Sequence, residues 1–157
     1  MTNFEKAIDK WLKENEFNCG FYFDDDFGFD WVENKVRIGT MGYNNVSRWF
    51  EQFLYEYGLE YTGIFDPVLA FFHELGHWAT NEVFSDSEKM LFNIAKDFID
   101  DRMENQNNMI KYWEMPDEFA ANIWAINYMN NHIEVVESLC QIYVDYWNEF
   151  IEERNVA

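Results

Sequence analysis

Positive charge is scarce in this 157-residue chain: 11 Lys and Arg stand against 30 Asp and Glu, a formal net charge of −19. Nucleic-acid phosphates and anionic membrane surfaces repel such a polypeptide, so direct nucleic-acid or membrane binding is not expected. A basic protein partner is compatible with it. One reading is therefore a non-catalytic acidic binding protein that imitates the phosphate array of DNA and occupies the basic groove of a DNA-binding protein, as an inhibitor encoded by a mobile element would. Long apolar runs are missing too, because Asp66, His73 and Glu74 interrupt the most apolar stretch. The first residues, Met1-Thr2-Asn3-Phe4-Glu5-Lys6, lack the basic and apolar regions of a signal peptide. The two cysteines, Cys19 and Cys140, form no CxxC pair and no disulfide framework. Free thiols in the reducing cytoplasm are the expectation. Linkers, repeats and low-complexity tracts are absent, which predicts one domain over residues 1–157. Asp24-Asp25-Asp26 lacks the alternating oxygen ligands of a Ca²⁺ loop and reads as a solvated turn.

Aromatic and apolar side chains are plentiful, at 20% and 48%, enough for a substantial core. Thr2 can cap a helix whose Phe4, Ala7, Ile8, Trp11 and Leu12 share a face. Between Phe21 and Ile38, alternating apolar residues around Glu33-Asn34 predict a small antiparallel hairpin, ended by Gly39 and Gly42. Helical spacing returns from Asn45 to Tyr57, and Gly58 can end that helix. Asp66 as N-cap with Pro67 behind it starts another, apolar nearly all round and so buried. Ser85 and Glu88 form a capping box for a helix to about Glu104, with an apolar face of Leu91, Ile94, Ala95 and Phe98. Residues 104–108 read as a loop. Pro116 opens a helix to about Asn130, and Asn131 with Glu134 caps a last one to about Arg154. Its Ile133, Val136, Cys140, Tyr143, Trp147 and Phe150 form a docking face. The fold class is α+β, mostly helical, with a small antiparallel sheet near the N-terminus.

Two of the three histidines occur in His73-Glu74-Leu75-Gly76-His77, an HExxH pattern on the apolar helix. Residues four apart lie on one helix face, so both imidazoles can converge on one Zn²⁺. Glu74 can then reach a metal-bound water as general base. Buried polar side chains need partners, and a metal would supply one. A catalytic zinc site also needs a third protein ligand. The extended HExxHxxGxxH route fails, because Thr80 and Val83 occupy the Gly and His positions. Candidates remain at Asp97, Glu118 and His132. Asp97 shares a helix face with Asn93, Lys96 and Asp100 that reads as solvated. His132 lacks spaced companions. Glu118 shares a face with Ala121, Asn122 and Ala125, whose small side chains permit close approach to the HExxH helix. Asn122 can hold the far ring nitrogen of a ligand histidine.

His73-Glu74-Leu75-Gly76-His77 followed by Glu118-x-x-Ala121-Asn122-x-x-Ala125 resembles the gluzincin metallopeptidases over roughly residues 66–130. Small cytoplasmic ImmA/IrrE-like peptidases are the nearest in kind. The resemblance implies a zincin-like domain with Zn²⁺ on His73, His77 and Glu118, and Glu74 as general base. It also implies Asn122 in place of the acidic residue that many gluzincins carry. The expected activity is hydrolysis of a peptide bond in a specific protein or peptide substrate through a metal-activated water. A donor for the tetrahedral oxyanion is required besides the metal, and Tyr128 is one candidate.

Overall fold

The computed structural model describes residues 1–39, 45–99 and 105–156, with the side chains of 45, 150 and 153–156 left out. The expectations for Gly42, Asp100, Glu104 and the Phe150 side chain lie outside these residues. Helix α1 (Asn3–Glu14) starts on a capping box in which Thr2 and Glu5 each accept the other's backbone N–H. Its Phe4, Ile8, Trp11 and Leu12 are buried against α7 (Ile133–Val156).

Strands β1 (Gly20–Phe23), β2 (Gly28–Asp30) and β3 (Lys35–Ile38) follow, in the order β1-β3-β2. The β2–β3 hairpin turns through residues 31–34, with Asn34 at φ 56°. The sheet as a whole is mixed, not antiparallel, because β1 pairs with β3 in parallel. Burial explains the order. Val36 and Ile38 of β3 are fully buried, whereas every residue of β1 is only half-buried, so β3 takes the centre. The Asp24-Asp25-Asp26 turn carries the chain across β3 to its far edge.

Helix α2 (Asn45–Glu56) ends before Gly58, which adopts φ 117°. Helix α3 (Asp66–Thr80) carries HExxH and is buried along most of its length. Its N-cap is Phe65, one residue before the predicted Asp66, whose carboxylate takes a hydrogen bond from Ser47 instead of capping the backbone. A short 3₁₀ turn leads to α4 (Asp86–Lys96), which begins on the expected Ser85–Glu88 capping box. It stops at Lys96, well short of Glu104. Helix α5 (Gln106–Trp113), capped by Asn105, occupies much of the predicted loop and buries Met109 and Trp113. Helix α6 (Pro116–Asn131) begins at Pro116 as expected. Asn131 ends α6, donating to the Asn127 carbonyl, instead of capping α7. The fold is thus α+β and mostly helical. Among the described residues no helix is long and apolar enough to cross a membrane. Cys19 and Cys140 are both free.

Candidate metal centre

Helices α3 and α6 pack more closely than their alanines alone require. A methyl group on Gly76 would overlap the Ala121 carbonyl oxygen and lie 2.8 Å from the Ala121 Cα. Gly76, inside HExxH, therefore lets the two backbones meet, and Ala121 and Ala125 complete the contact as buried residues. This approach brings a carboxylate of α6 onto both imidazoles of α3. Glu118 Oε1 lies 2.9 Å from His73 Nε2, and Glu118 Oε2 lies 3.0 Å from His77 Nε2. On its far side, His73 Nδ1 lies 2.7 Å from Asn122 Oδ1. Glu74 Oε1 lies 3.8 Å from His73 Nε2, beyond hydrogen-bond range but within reach of a shared water. His73, Glu74, Glu118 and Asn122 are all buried, and Phe50 meets the His73 ring edge-on at 5.6 Å.

The electrostatics are those of a tightly coupled cluster. Burial pulls the His73 pKa down, but the Glu74 charge, the Glu118 contact and the Asn122 hydrogen bond outweigh it, raising it from 6.5 to about 9. The imidazolium donates Nδ1–H to Asn122 and Nε2–H to Glu118. Burial raises Glu118, but the two histidines prevail and hold its carboxyl well below the usual range. Burial raises Glu74, opposed by His73 and His77. A carboxylate so raised is suited to taking a proton.

This donor set fits a divalent metal. Two Nε2 atoms and a carboxylate converge, and Asn122 Oδ1 can accept only from a protonated Nδ1, which leaves Nε2 as the ligand atom. The donor atoms of His73, Glu74 and His77 lie within 4.8 Å of one another, as do those of His77, Asp117 and Glu118. Neither group holds His73, His77 and Glu118 together, although Glu118 touches both imidazoles. Asp97 is exposed at the end of α4 and belongs to neither group. His132 stacks on Tyr128 at 4.1 Å and donates Nδ1–H to the Tyr128 carbonyl at the opposite end of α6. Tyr128 also stacks on Phe72 and Trp124, and it does not line the cavity beside the cluster.

That cavity, about 270 Å³, opens between the β2–β3 hairpin and helices α3 to α6. Three of its residues carry functional potential that the sequence did not signal. Lys96 was expected on a solvated face. It instead turns inward, donating to Asp117 Oδ2 at 2.7 Å and Glu118 Oε2 at 2.8 Å. Its partners are more than 20 positions away, so no local pattern announces the contact. Arg37 of β3 lines the cavity and pairs with Asp24 at 3.7 Å, and Gly28 leaves the space its guanidinium fills. Tyr112 lines the wall on a helix the sequence did not suggest. Burial, then the charges of Glu118, Glu74 and Asp117, raise its pKa far above the ordinary value. It stays protonated and able to donate. Compared with protein families, curated proteins and solved structures, the chain matches none.

Proposed function

We propose that this chain is a zinc-dependent metallopeptidase. The observation that carries the proposal is the seating of one buried carboxylate, Glu118, against both histidines of HExxH within 3.0 Å. His73, His77 and Glu118 would hold the metal, and Asn122 would fix the His73 ring. When bound, the metal lowers the pKa of a water ligand and polarises a carbonyl oxygen. Glu74 takes the water proton and returns it to the leaving amine. Tyr112, protonated and facing the cavity, donates to the oxyanion of the tetrahedral intermediate. Arg37 and Lys96 add positive charge to the same cavity.

The test joins metal content to turnover. Purified protein is expected to hold stoichiometric zinc, and His77→Ala and Glu118→Ala to lose it. Glu74→Gln is expected to keep the metal but lose about 10²- to 10⁴-fold in turnover of a fluorogenic peptide library. Full metal retention in Glu118→Ala would remove Glu118 from the ligand set. Undiminished hydrolysis by Glu74→Gln would sink the mechanism.

The net charge of −19 favours a second reading, an acidic protein that binds and inhibits a basic partner. Inhibition of such a partner that survives Glu74→Gln would select it.

A further inference from the structure

Helix α4 is fastened by its polar side and turns its apolar side outward. Lys89 Nζ lies 4.8 Å over the Trp31 ring, and Lys96 grips Asp117 and Glu118; each lysine side chain is 13% exposed. Facing away from them are Met90, Leu91 and Ile94, all more than half exposed, and Phe98, 88% exposed in the following turn. Positions 90, 91 and 94 fall within about 100° of the helix circumference, with both lysines on the opposite side. Asp86, Glu88 and Asp97 are exposed beside this stripe. No residue of α4 is buried. The outer face is therefore apolar and flanked by carboxylates; Lys89 also lies 3.8 Å from the exposed Asp86 carboxylate, while Lys96 is spent inward.

Contiguous apolar exposure of this kind marks interaction surfaces. A second copy is a poor occupant, because it would bring another −19 against the same carboxylates. Complementarity demands a partner with apolar and cationic groups. Location adds to this. The inner side of α4 lines the cavity through Lys89, Asn93 and Lys96, so a segment on the outer face lies about one helix diameter, roughly 10 Å, from the candidate metal centre.

We propose that the outer face of α4 docks an amphipathic polypeptide segment of the protein substrate, carrying apolar and basic residues. The assignment to a substrate rests on the peptidase reading; the docking chemistry does not. The test is fluorescence anisotropy on full-length, metal-loaded Glu74→Gln protein. The probes are a labelled amphipathic Leu/Lys helix peptide, a Leu/Glu peptide, and a Ser/Lys peptide of the same charge as the first. Two neutral double variants are compared, Leu91→Ser with Phe98→Ser and Met90→Ser with Ile94→Ser. The Leu/Lys peptide is expected to bind, and each double variant to weaken it about tenfold or more. The Leu/Glu peptide is expected not to bind, and the Ser/Lys peptide to bind weakly and equally to all forms. Equal Leu/Lys affinity across all forms would overturn the docking surface, as would Ser/Lys binding as tight as Leu/Lys. A sedimenting dimer abolished by the variants would give the face to a second copy, against the proposal. Binding as expected with no peptide hydrolysis by wild type would overturn the substrate assignment alone.

Discussion

Asn122 shows how much one side chain decides at the candidate centre. Its Oδ1 holds His73 Nδ1, while its buried Nδ2 has no hydrogen-bond partner among the described residues. An unpaired buried donor costs about 1–3 kcal/mol, so position 122 is maintained at some expense to stability. Asn122→Ala is expected to weaken zinc binding about 10- to 100-fold by freeing the ring, with Asn122→Asp retaining most of it. Competition against a chromophoric chelator measures both. The His73 pKa of about 9 makes a second prediction at this scale. A ligand imidazole must give up its Nε2 proton, so zinc uptake near pH 7.5 is expected to release that proton and to tighten as pH rises toward 9. Calorimetry in buffers of different ionisation enthalpy reads the release directly. For the metal-free protein the sign is opposite. A raised folded-state pKa stabilises fully below about 6.5, and that contribution is lost as pH rises through about 9.

At the scale of elements, the α3–α6 contact is the feature on which the centre depends. Gly76→Ala replaces a poor helix former with the best, a gain of about 1 kcal/mol. The added methyl meets the Ala121 backbone, which has no flexible end to move aside. Overpacking costs about 1–3 kcal/mol, so a net loss of stability is expected in urea unfolding, together with weaker zinc binding as Glu118 is pushed from the histidines. Helix α4 enters through Lys96, whose ammonium sits on the same Glu118 oxygen that faces His77. Ammonium and metal compete there. Lys96→Met is expected to tighten zinc about tenfold or more, in the same chelator competition, since removing a like charge at this range lowers the cost of binding a dication. Unchanged binding would show that Lys96 does not compete with the metal, and weaker binding that it supports the metal-bound state.

At the scale of the whole molecule, charge dominates. A net −19 spread over 157 residues repels itself in the compact state. Salt screens this repulsion over a Debye length that shrinks from about 10 Å at 0.1 M to about 3 Å at 1 M. The thermal midpoint is therefore expected to rise with NaCl, read by circular dichroism. A fall would mean that ion pairs such as Lys96 with Asp117 contribute more than the repulsion costs.

Features that rest on local rules were legible in the chain. The N-cap at Thr2, the capping box at Ser85, Pro116 at the start of α6 and the HExxH spacing on an apolar helix depend on neighbours within about one turn. The face shared by Glu118, Ala121, Asn122 and Ala125 is equally local, and it brought Glu118 forward as a candidate. Contacts between distant segments settled the rest. The central place of β3 comes from competition for burial among three strands. The inward turn of Lys96 comes from carboxylates one helix away, which left the apolar side of α4 outside. The role of Gly76 was hidden because a glycine inside HExxH has no local consequence. Its meaning appears only when the Ala121 backbone lies against it, and with that approach Glu118 reaches both histidines.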